Sequence, residues 1–577
     1  IPSALVKRID ILTGGASAVY GSDAIAGVVN FIIDQEFEGM RGGISYSTNW
    51  HNNDNSFAQQ INRDAGFEPP TGSTMDGDGI NLDLAFGGKF ADGKGHASAY
   101  ITYRKLDELT KDMRDYTNCS VWATEDGAIC GGSSTTPAAR LRPRYSPNYP
   151  DPDLANDQIG DFIVADAAGN IRPRNATTDV YNYGPWNHFQ RPDERWNAGA
   201  FITYRFNEMA EGYMELMFMD DTSTAQIAPT GNFNVAPNVN CDNPMLSAQQ
   251  YDTFCVQGGY TDDEYATVSI NRRSLEGGPR DWRHGHTSFR LLAGLRGDLG
   301  DAWSYDLYAM HAQMNFLEIG GNDANVTRMQ NALDIIEDPD TGEWVCRSGD
   351  AGCVPWNIFV DNGNQIVDDP SLGVTQEAID YMYTRYLDSG GSQVQVGNLT
   401  FTGDLENYGL ALPSATEGIQ MAVGGEVRHE YMWRQPDEVN VQGSAGSGGG
   451  AERIDAAYNV YEFFVEGLIP LVQDAKGFHD LSAELGYRYS DYSTSGGANT
   501  YKGLLSWAPT PDFRFRVSYN QAIRSANIFE MFRPAGLNLG GTFDPCSGPN
   551  PTATFEECAR TGVTQGQYGE IDSNPAN

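Results

Sequence analysis

Apolar and polar residues alternate one by one along many short stretches of this chain. In LSAELGYRY, Leu481, Ala483, Leu485, Tyr487 and Tyr489 fall on one side, and Ser482, Glu484, Gly486 and Arg488 on the other. INLDLAF sets Ile80, Leu82, Leu84 and Phe86 against Asn81 and Asp83. FRFRVSYN sets Phe513, Phe515, Val517 and Tyr519 against Arg514, Arg516, Ser518 and Asn520. A period of two is the signature of a β-strand with one apolar face. It predicts an all-β chain, with strands over 80–88, 96–104, 196–206, 212–220, 287–297, 303–316, 460–469, 481–490, 500–508 and 513–520. With the remaining segments, including a weaker one near 395–410, the count is roughly 13.

The connections come in two kinds. KFADGK, NEMAE, DLGDA, LPSATEG, PLVQDAKGFHD and PTPD are turns rich in Gly, Pro or Asp. Between them lie long connections at 106–193, 222–284, 318–394 and 432–455 and from 524 onward, with shorter ones near 49–79 and 492–498. Strict alternation of tight turns and long loops is the pattern of a transmembrane β-barrel. Loops of this length count against an ordinary compact soluble domain. Arg and Glu share the polar side of the strands, which a water-filled lumen tolerates and lipid does not. A soluble sandwich with one wet face shares the alternation itself. An odd strand count predicts that strands of such a barrel lie outside this chain.

Composition narrows the choice further. No apolar run reaches 18 residues, so no transmembrane helix is expected, a result that is silent about barrels. The 77 acidic and 38 basic residues give a net charge of −39, which argues against nucleic acid as a partner. The chain opens on IPSALVKRID, without a charged start or a cleavage site, and stops in DSNPAN, so it reads as a fragment cut at both ends. The eight cysteines form four local pairs, Cys119/Cys130, Cys241/Cys255, Cys346/Cys353 and Cys546/Cys558. None has C-x-x-C spacing and no His is close to any pair, so disulfides in an oxidising compartment are expected rather than zinc. All four pairs fall within long loops, which puts every long loop on the oxidising side.

Other chemistry is sparse. His284-Gly-His286 sits at alternate strand positions and reads as rim polarity rather than a metal site. MDGDG (75–79) and DNGNQIVDD (361–369) lack the twelfth-position Glu of an EF-hand loop and read as solvated acidic loops. No hydrolase, protease or phosphate-loop motif occurs, so an enzyme is not expected, nor a cofactor or bound metal. Trp122, Tyr145, Tyr149, Trp186 and Trp356 are loop aromatics that either stack on cargo or pack the loops. The chain-wide acidity predicts loops poorly suited to highly anionic ligands.

The opening segment VKRIDILTGGASAVYGSDAIAGVVNFIID, residues 6–34, is unlike the rest. Its Gly residues permit positive φ and close backbone approach, its Ala residues keep it thin, and VVNFII reads as a buried strand. It resembles the plug-domain signature of TonB-dependent receptors, through Arg8, Ile9, Asp10, Gly14, Ser17, Tyr20, Gly21, Ala24, Gly27, Val28, Val29 and Asn30. Thr13 stands where the family usually has Arg, and Gly15 where it has Pro. FRFRVSYNQAIRSANIFEMF, residues 513–532, resembles the family's mid-barrel motif through Ile523, Arg524, Glu530 and Phe532, with Ala526 in place of a frequent Pro.

The resemblance implies a transmembrane antiparallel β-barrel, 22-stranded in the family and incomplete here, with the end of a plug domain in its lumen. Residues 1–38 would be the C-terminal part of the plug and 39–577 the barrel, truncated at its C-terminus. It implies gated uptake of a scarce solute, such as a siderophore, cobalamin or a carbohydrate-like nutrient, across the bacterial outer membrane. The implied partners are TonB with ExbB and ExbD, an extracellular small-molecule ligand and outer-membrane lipid. In the family, Arg residues of the plug pair with barrel acids, which makes Arg8 a candidate for that lock. A passive porin or adhesin barrel, and a secreted β-rich glycosidase, are the alternatives.

Overall fold

The structure, a computed structural model, describes residues 5–13, 24–125, 127–446, 449–534, 545–548 and 551–571. Strands β1 (Val6–Thr13) and β2 (Gly27–Ile33) form a separate antiparallel hairpin. Thirteen further strands pair in chain order into one antiparallel sheet. They are β3 (Gly39–Asn53), β4 (Gly72–Phe90), β5 (Gly95–Leu106), β6 (Asp193–Asn207) and β7 (Ala210–Ile227). Then come β8 (Arg280–Leu299), β9 (Trp303–Ala324), β10 (Tyr383–Asp404) and β11 (Gln420–Pro436). The last are β12 (Ile454–Ala475), β13 (Phe478–Tyr492), β14 (Gly496–Thr510) and β15 (Phe513–Gln521). This is the large antiparallel sheet that the alternation predicts. Tight turns close one end, the turn end, and the long connections leave the other, the loop end.

Register sorts the side chains into two faces. One face is apolar and exposed, with Ile44, Phe86, Ile101, Leu216, Leu485 and Val517 among its residues. Aromatic rings gather along both of its borders. Toward the loop end Tyr103 lies 4.5 Å from Trp196, and Tyr501 stacks 6.1 Å from Tyr519. Toward the turn end Phe90 stacks 6.2 Å from Tyr204, and Trp507 lies between Phe478 and Phe515 at 5.9 and 5.7 Å. Two aromatic borders around an apolar band are the girdles of a transmembrane barrel. The opposite face carries the charges and is taken up below.

Several strands run further toward the loop end than expected, β4 starting at Gly72, β7 ending at Ile227, β8 starting at Arg280 and β9 ending at Ala324, and two others differ in instructive ways. The strand expected near 395–410 runs from Tyr383 to Asp404, and residues 405–408 already turn. Its Ser389-Gly390-Gly391-Ser392 stretch reads as loop, yet the glycines are required: a Cβ on Gly390 would collide with the Phe316 ring of β9. β12 extends beyond its expected end at 469, through residues read as a turn. Pro470 stands opposite Ser482, directly before a register shift at Leu471, the irregular kind of position where a strand admits Pro. The chain actually reverses at Lys476 and Gly477, with Gly477 at a φ of +80°.

The largest departure lies in the long connections. They fold into a body with a core of its own. Strands Ile171–Pro173, Phe162–Val164, Arg140–Pro143, Tyr265–Arg273 and Gly231–Phe233 pair in that order, and Asn238–Asn240 adds to Tyr265–Arg273. Behind this sheet, Trp356, Phe254, Phe359, Leu141, Ile270 and Leu333 are fully buried. Each such side chain stabilises by about 1.5–3 kcal/mol relative to exposure. The disulfides Cys241–Cys255 and Cys346–Cys353 border this core, Cys119–Cys130 closes a hairpin at Ser120–Gly131, and Cys546–Cys558 closes the last connection. All four bonds form between the paired positions read from the sequence.

Candidate functional site

The inner, polar face of the sheet is a wall of charge. Arg290 donates to Glu215 at 2.6 Å, Arg296 to Glu211 at 2.6 Å and Arg195 to Asp221 at 2.9 Å. Further round, Arg434 meets Asp388 at 2.7 Å, Arg428 meets Glu430 at 2.8 Å and Lys502 meets Glu484. Glu462 accepts from Arg488 at 2.7 Å and from Ser490 at 2.5 Å. Most of the pairing follows from register, since cross-strand neighbours on one face stand close enough to meet, while Arg428 and Glu430 are two residues apart on one strand. The two histidines singled out from the sequence join the upper part of this wall, His284 beside Glu318 at 3.1 Å and His286 beside Asp221 at 3.8 Å. Asp76 of MDGDG takes Arg114 at 2.8 Å. Among the described residues no cluster of His, Cys, Asp and Glu could hold a metal ion.

The β1–β2 hairpin, whose own strands stay largely exposed, meets this inner face through the residues that flank it. Leu5 and Phe37 pack on Ala85, Tyr100 and Phe201, and Gln35 donates to Glu215 at 3.3 Å. Gly87 is required here, because a Cβ would collide with the Phe37 carbonyl. The far end of the hairpin reaches the other side of the wall. Leu12 borders a cavity of about 500 Å³ together with Glu466, Glu484, Lys502 and Arg516. Arg8 and Asp10 remain exposed and pair with each other, Arg8 Nε donating to both carboxylate oxygens at 3.1 and 3.2 Å. Asp10 pairs in register with Asn30, and Thr13 with Gly27. Ala24 is nine-tenths buried. Gly14, Ser17, Tyr20 and Gly21 lie outside the described residues.

The second motif folds back into the mouth. Arg524 grips Glu530 with two hydrogen bonds, at 2.9 and 2.5 Å. Glu530 also accepts from the Asn527 backbone at 2.9 Å, while Asn527 caps the helix Ile528–Phe532. That helix seats Ile528 on Ile454, Tyr458, Val460 and Tyr492, all on the inner face. Phe532 remains partly exposed. The spacing of Arg, Glu and aromatic residues is thus a capping and clamping device.

Sequence reasoning missed a basic row in the loops. Arg140, Arg142 and Arg144 alternate along one face of the loop sheet. Arg172 and Arg174 follow on and just after the strand Ile171–Pro173, one strand further along that sheet beyond Phe162–Val164. Arg140 is neutralised by Asp161 at 2.7 Å and Arg172 by Asp179 at 2.7 Å. Among the described residues, the Arg142 side chain bonds the Asn271 amide oxygen at 3.0 Å and the Arg174 side chain the Asp179 carbonyl at 3.2 Å, neither with a carboxylate. The row continues through Arg273, which lies 4.8 Å from the Phe233 ring, to Arg280, 5.6 Å from the same ring. Burial, with Arg280 close by, brings the Arg273 guanidinium down to about 10. A net charge of −39 predicts the opposite sign here, but a sum says nothing about placement. Alternating Arg in R-x-R-x-R is the signal that marks the row. Of the loop aromatics, Trp356 is core, and Tyr145 packs 4.6 Å from Tyr149, while Trp122 is half exposed.

A single antiparallel sheet with an apolar girdled face, a charged inner face, tight turns at one end and stapled loops at the other defines the class of large membrane β-barrels around an aqueous passage. The particular family follows from the sequence itself. The family described as TonB dependent receptor-like, beta-barrel, matches residues 132–555, and the chain belongs to it. That family consists of outer-membrane receptors and transporters. Among solved structures, the siderophore receptor PirA from Acinetobacter baumannii is similar at 12% identity and a TM-score of 0.44, over 92% of this chain and 49% of that one. A mutant ferric enterobactin receptor (PfeA) from Pseudomonas aeruginosa in complex with enterobactin is similar at 12% identity and a TM-score of 0.43, over 92% and 51%. Pseudomonas aeruginosa FpvA bound to heterologous pyoverdines is similar at 9% identity and a TM-score of 0.41, over 88% and 45%. The chain spans about half the length of these structures.

Proposed function

We propose that this protein performs gated, TonB-energised uptake of a scarce solute across the bacterial outer membrane. In this reading residues 1–38 are the C-terminal part of the plug, with the motif Arg8, Asp10, Gly14, Ser17, Tyr20, Gly21, Ala24, Gly27 and Asn30, and residues 39–577 belong to the barrel. The observation that carries it is that Leu5 and Phe37, on either side of the hairpin, pack on the inner face of the sheet rather than on its apolar outer face. An obstruction inside a water-lined passage needs a device to move it. TonB, with ExbB and ExbD, would supply that pull.

Uptake then requires no covalent chemistry. The solute binds the loop body and the mouth in the resting state, and the pulled state lowers that affinity and opens the passage. The basic row running down to Arg280 favours cargo with anionic oxygen atoms, as siderophores carry, over a neutral sugar. The disulfides fit loops facing outward, away from cytosolic reductants.

Uptake of labelled ferric siderophores, cobalamin and oligosaccharides by a deletion strain, with and without a protonophore, tests this reading. The expected result is one cargo whose accumulation requires both the gene and the proton gradient, while its surface binding requires only the gene. Accumulation that persists under the protonophore would assign the protein to passive porins.

A further inference from the structure

The loop sheet has a second face, opposite its core, and strand register maps that face rung by rung. Directly paired residues of antiparallel strands share a face. Asn271 stands opposite Arg140, and Ser269 opposite Arg142. The Arg144 N–H donates to the Thr267 carbonyl at 3.0 Å, which sets the next rung. Three guanidiniums therefore run in file beside an amide and two hydroxyls, with about 6.6 Å from one rung to the next. On the far side, Ile163 stands opposite both Arg140 and Arg172. The same register, continued by one residue, puts Asp161 between Arg142 and Arg174, and the Arg174 N–H reaches the Asp161 carbonyl at 2.9 Å.

The charges on this face do not balance. Asp161 is taken by Arg140, with hydrogen bonds at 2.8 and 2.7 Å, and Asp179 by Arg172, with two at 2.7 Å. Among the described residues, the side chains of the other three arginines bond neutral oxygens: Arg142 the Asn271 amide, Arg144 the Asn156 carbonyl and Arg174 the Asp179 carbonyl. The Nε atoms of Arg142 and Arg174 are buried without a partner. Burial first, and then the neighbouring Arg140, lower the Arg142 guanidinium below the ordinary arginine range. A chain with 77 acidic and 38 basic residues has carboxylates to spare, and on the barrel wall it uses them to pair Arg290, Arg296 and Arg434. Cations left partly desolvated and without a counter-charge cost free energy, which an anion from outside the chain offsets.

We propose that this face binds a linear acidic oligosaccharide, a chain of uronic acid units, with its carboxylates on Arg140, Arg142 and Arg144 and its hydroxyls on Thr267, Ser269 and Asn271. The proposal rests on the uptake reading and names a substrate class within it. A file of evenly spaced cations fits an anion that repeats along a line, whereas a compact ligand meets one part of the file. Guanidinium forks hold carboxylates through paired hydrogen bonds. The neighbouring amide and hydroxyls both donate and accept, which is what sugar hydroxyls require. An inorganic polyphosphate would satisfy the arginines and leave that second file unused. The basic row leads on through Arg273, beside the Phe233 ring, to Arg280 on β8, so a chain lying along it is directed toward the barrel wall.

The test titrates the full chain, purified in mild detergent, with tetragalacturonate, its methyl ester and inorganic polyphosphate in a calorimeter. The expected result is that the uronate binds, and that the ester, which keeps the hydroxyls and loses the charge, binds at least tenfold more weakly. Arg142→Gln/Arg174→Gln should weaken uronate binding at least tenfold. Ser269→Ala/Asn271→Ala should weaken it at least threefold and leave any polyphosphate binding within twofold. Arg453→Gln, an exposed arginine that pairs with Glu438 elsewhere, should leave uronate binding unchanged. A wild-type pattern in limited proteolysis shows that each loop body is folded. Arg144→Gln, at the exposed end of the file, should cost at least threefold and serves where the double arginine variant does not fold. No uronate binding, an ester that binds equally well, folded arginine variants within twofold of the wild type, or an equal loss in Arg453→Gln would overturn the proposal. Failure of the uptake reading would appear elsewhere, as uronate bound normally but accumulated without the proton gradient.

Discussion

Glu462 is almost fully buried on the inner wall, with Arg488 and Ser490 as its donors and the Phe464 ring 4.7 Å beneath the guanidinium. Most other wall pairs are partly exposed, and such pairs contribute about 0–1 kcal/mol. This one is different, because removing one partner leaves an uncompensated buried charge. Arg488→Met or Glu462→Met alone should cost about 3–5 kcal/mol, and the double variant Glu462→Met/Arg488→Met much less. Urea unfolding of the four proteins in detergent measures this as a double-mutant cycle. A loss below about 1 kcal/mol for the single variant would mean that water reaches the pair. The sequence placed Arg488 on the polar side of its strand, but not opposite Glu462, because register depends on turns whose lengths it left ambiguous. Arg524 and Glu530 were legible as a unit, since a local loop brings them together. Trp356 was legible only as a loop aromatic; its burial depends on distant segments.

The loop body is the element that sequence periodicity could not find. Its strands Phe162–Val164, Arg140–Pro143 and Gly231–Phe233 are three or four residues long, too short for an alternation to register, and their partners lie up to a hundred or more residues away. The cysteines were the one visible sign that these connections are ordered. Cys241–Cys255 spans 14 residues and borders the core, so Cys241→Ser/Cys255→Ser should destabilise the loop body by about 3 kcal/mol. Limited proteolysis should then cut within 228–279 while the strands of the large sheet stay intact; an unchanged cleavage pattern would show that packing alone holds the loops. Acid should loosen a second fastening. Arg172 holds the Asp179 carboxyl below the usual carboxylate range. A depressed folded-state value means that this pair stabilises the loop above the unfolded value, near pH 4, and that the contribution fades as pH falls through the lower folded value. Amide exchange at 171–179 should therefore accelerate below about pH 4, and Asp179→Asn should show the faster exchange already at neutral pH.

At the scale of the molecule, the two faces and the hairpin together set what the passage can do. The apolar band and its girdles were readable from period two, and the alternation of turns and loops gave the direction of the sheet. Where the first segment sits was not readable from periodicity, because a Gly- and Ala-rich hairpin has no face that selects one surface over another. Its anchor is the small cluster of Leu5 and Phe37 on Ala85, Tyr100 and Phe201, at one margin of a wall that is otherwise charged. An anchor of about five apolar side chains is worth several kcal/mol, enough to hold a closed state yet small enough to be overcome by a mechanical pull. Removing residues 1–33 should leave the large sheet folded, since its ladder of strands is independent of β1 and β2. If the passage is gated as proposed, the deletion should also expose Phe201 and Tyr100 to water and leave the passage open. In planar bilayers the full-length protein should be closed and the deletion variant should conduct, with cations favoured by the acidic chain. The weaker variant Leu5→Asp, which puts a carboxylate into the anchor, should show brief openings from a closed baseline. Equal conductance from the intact and shortened proteins would mean that this hairpin does not obstruct the lumen, and the gating reading would fall with it.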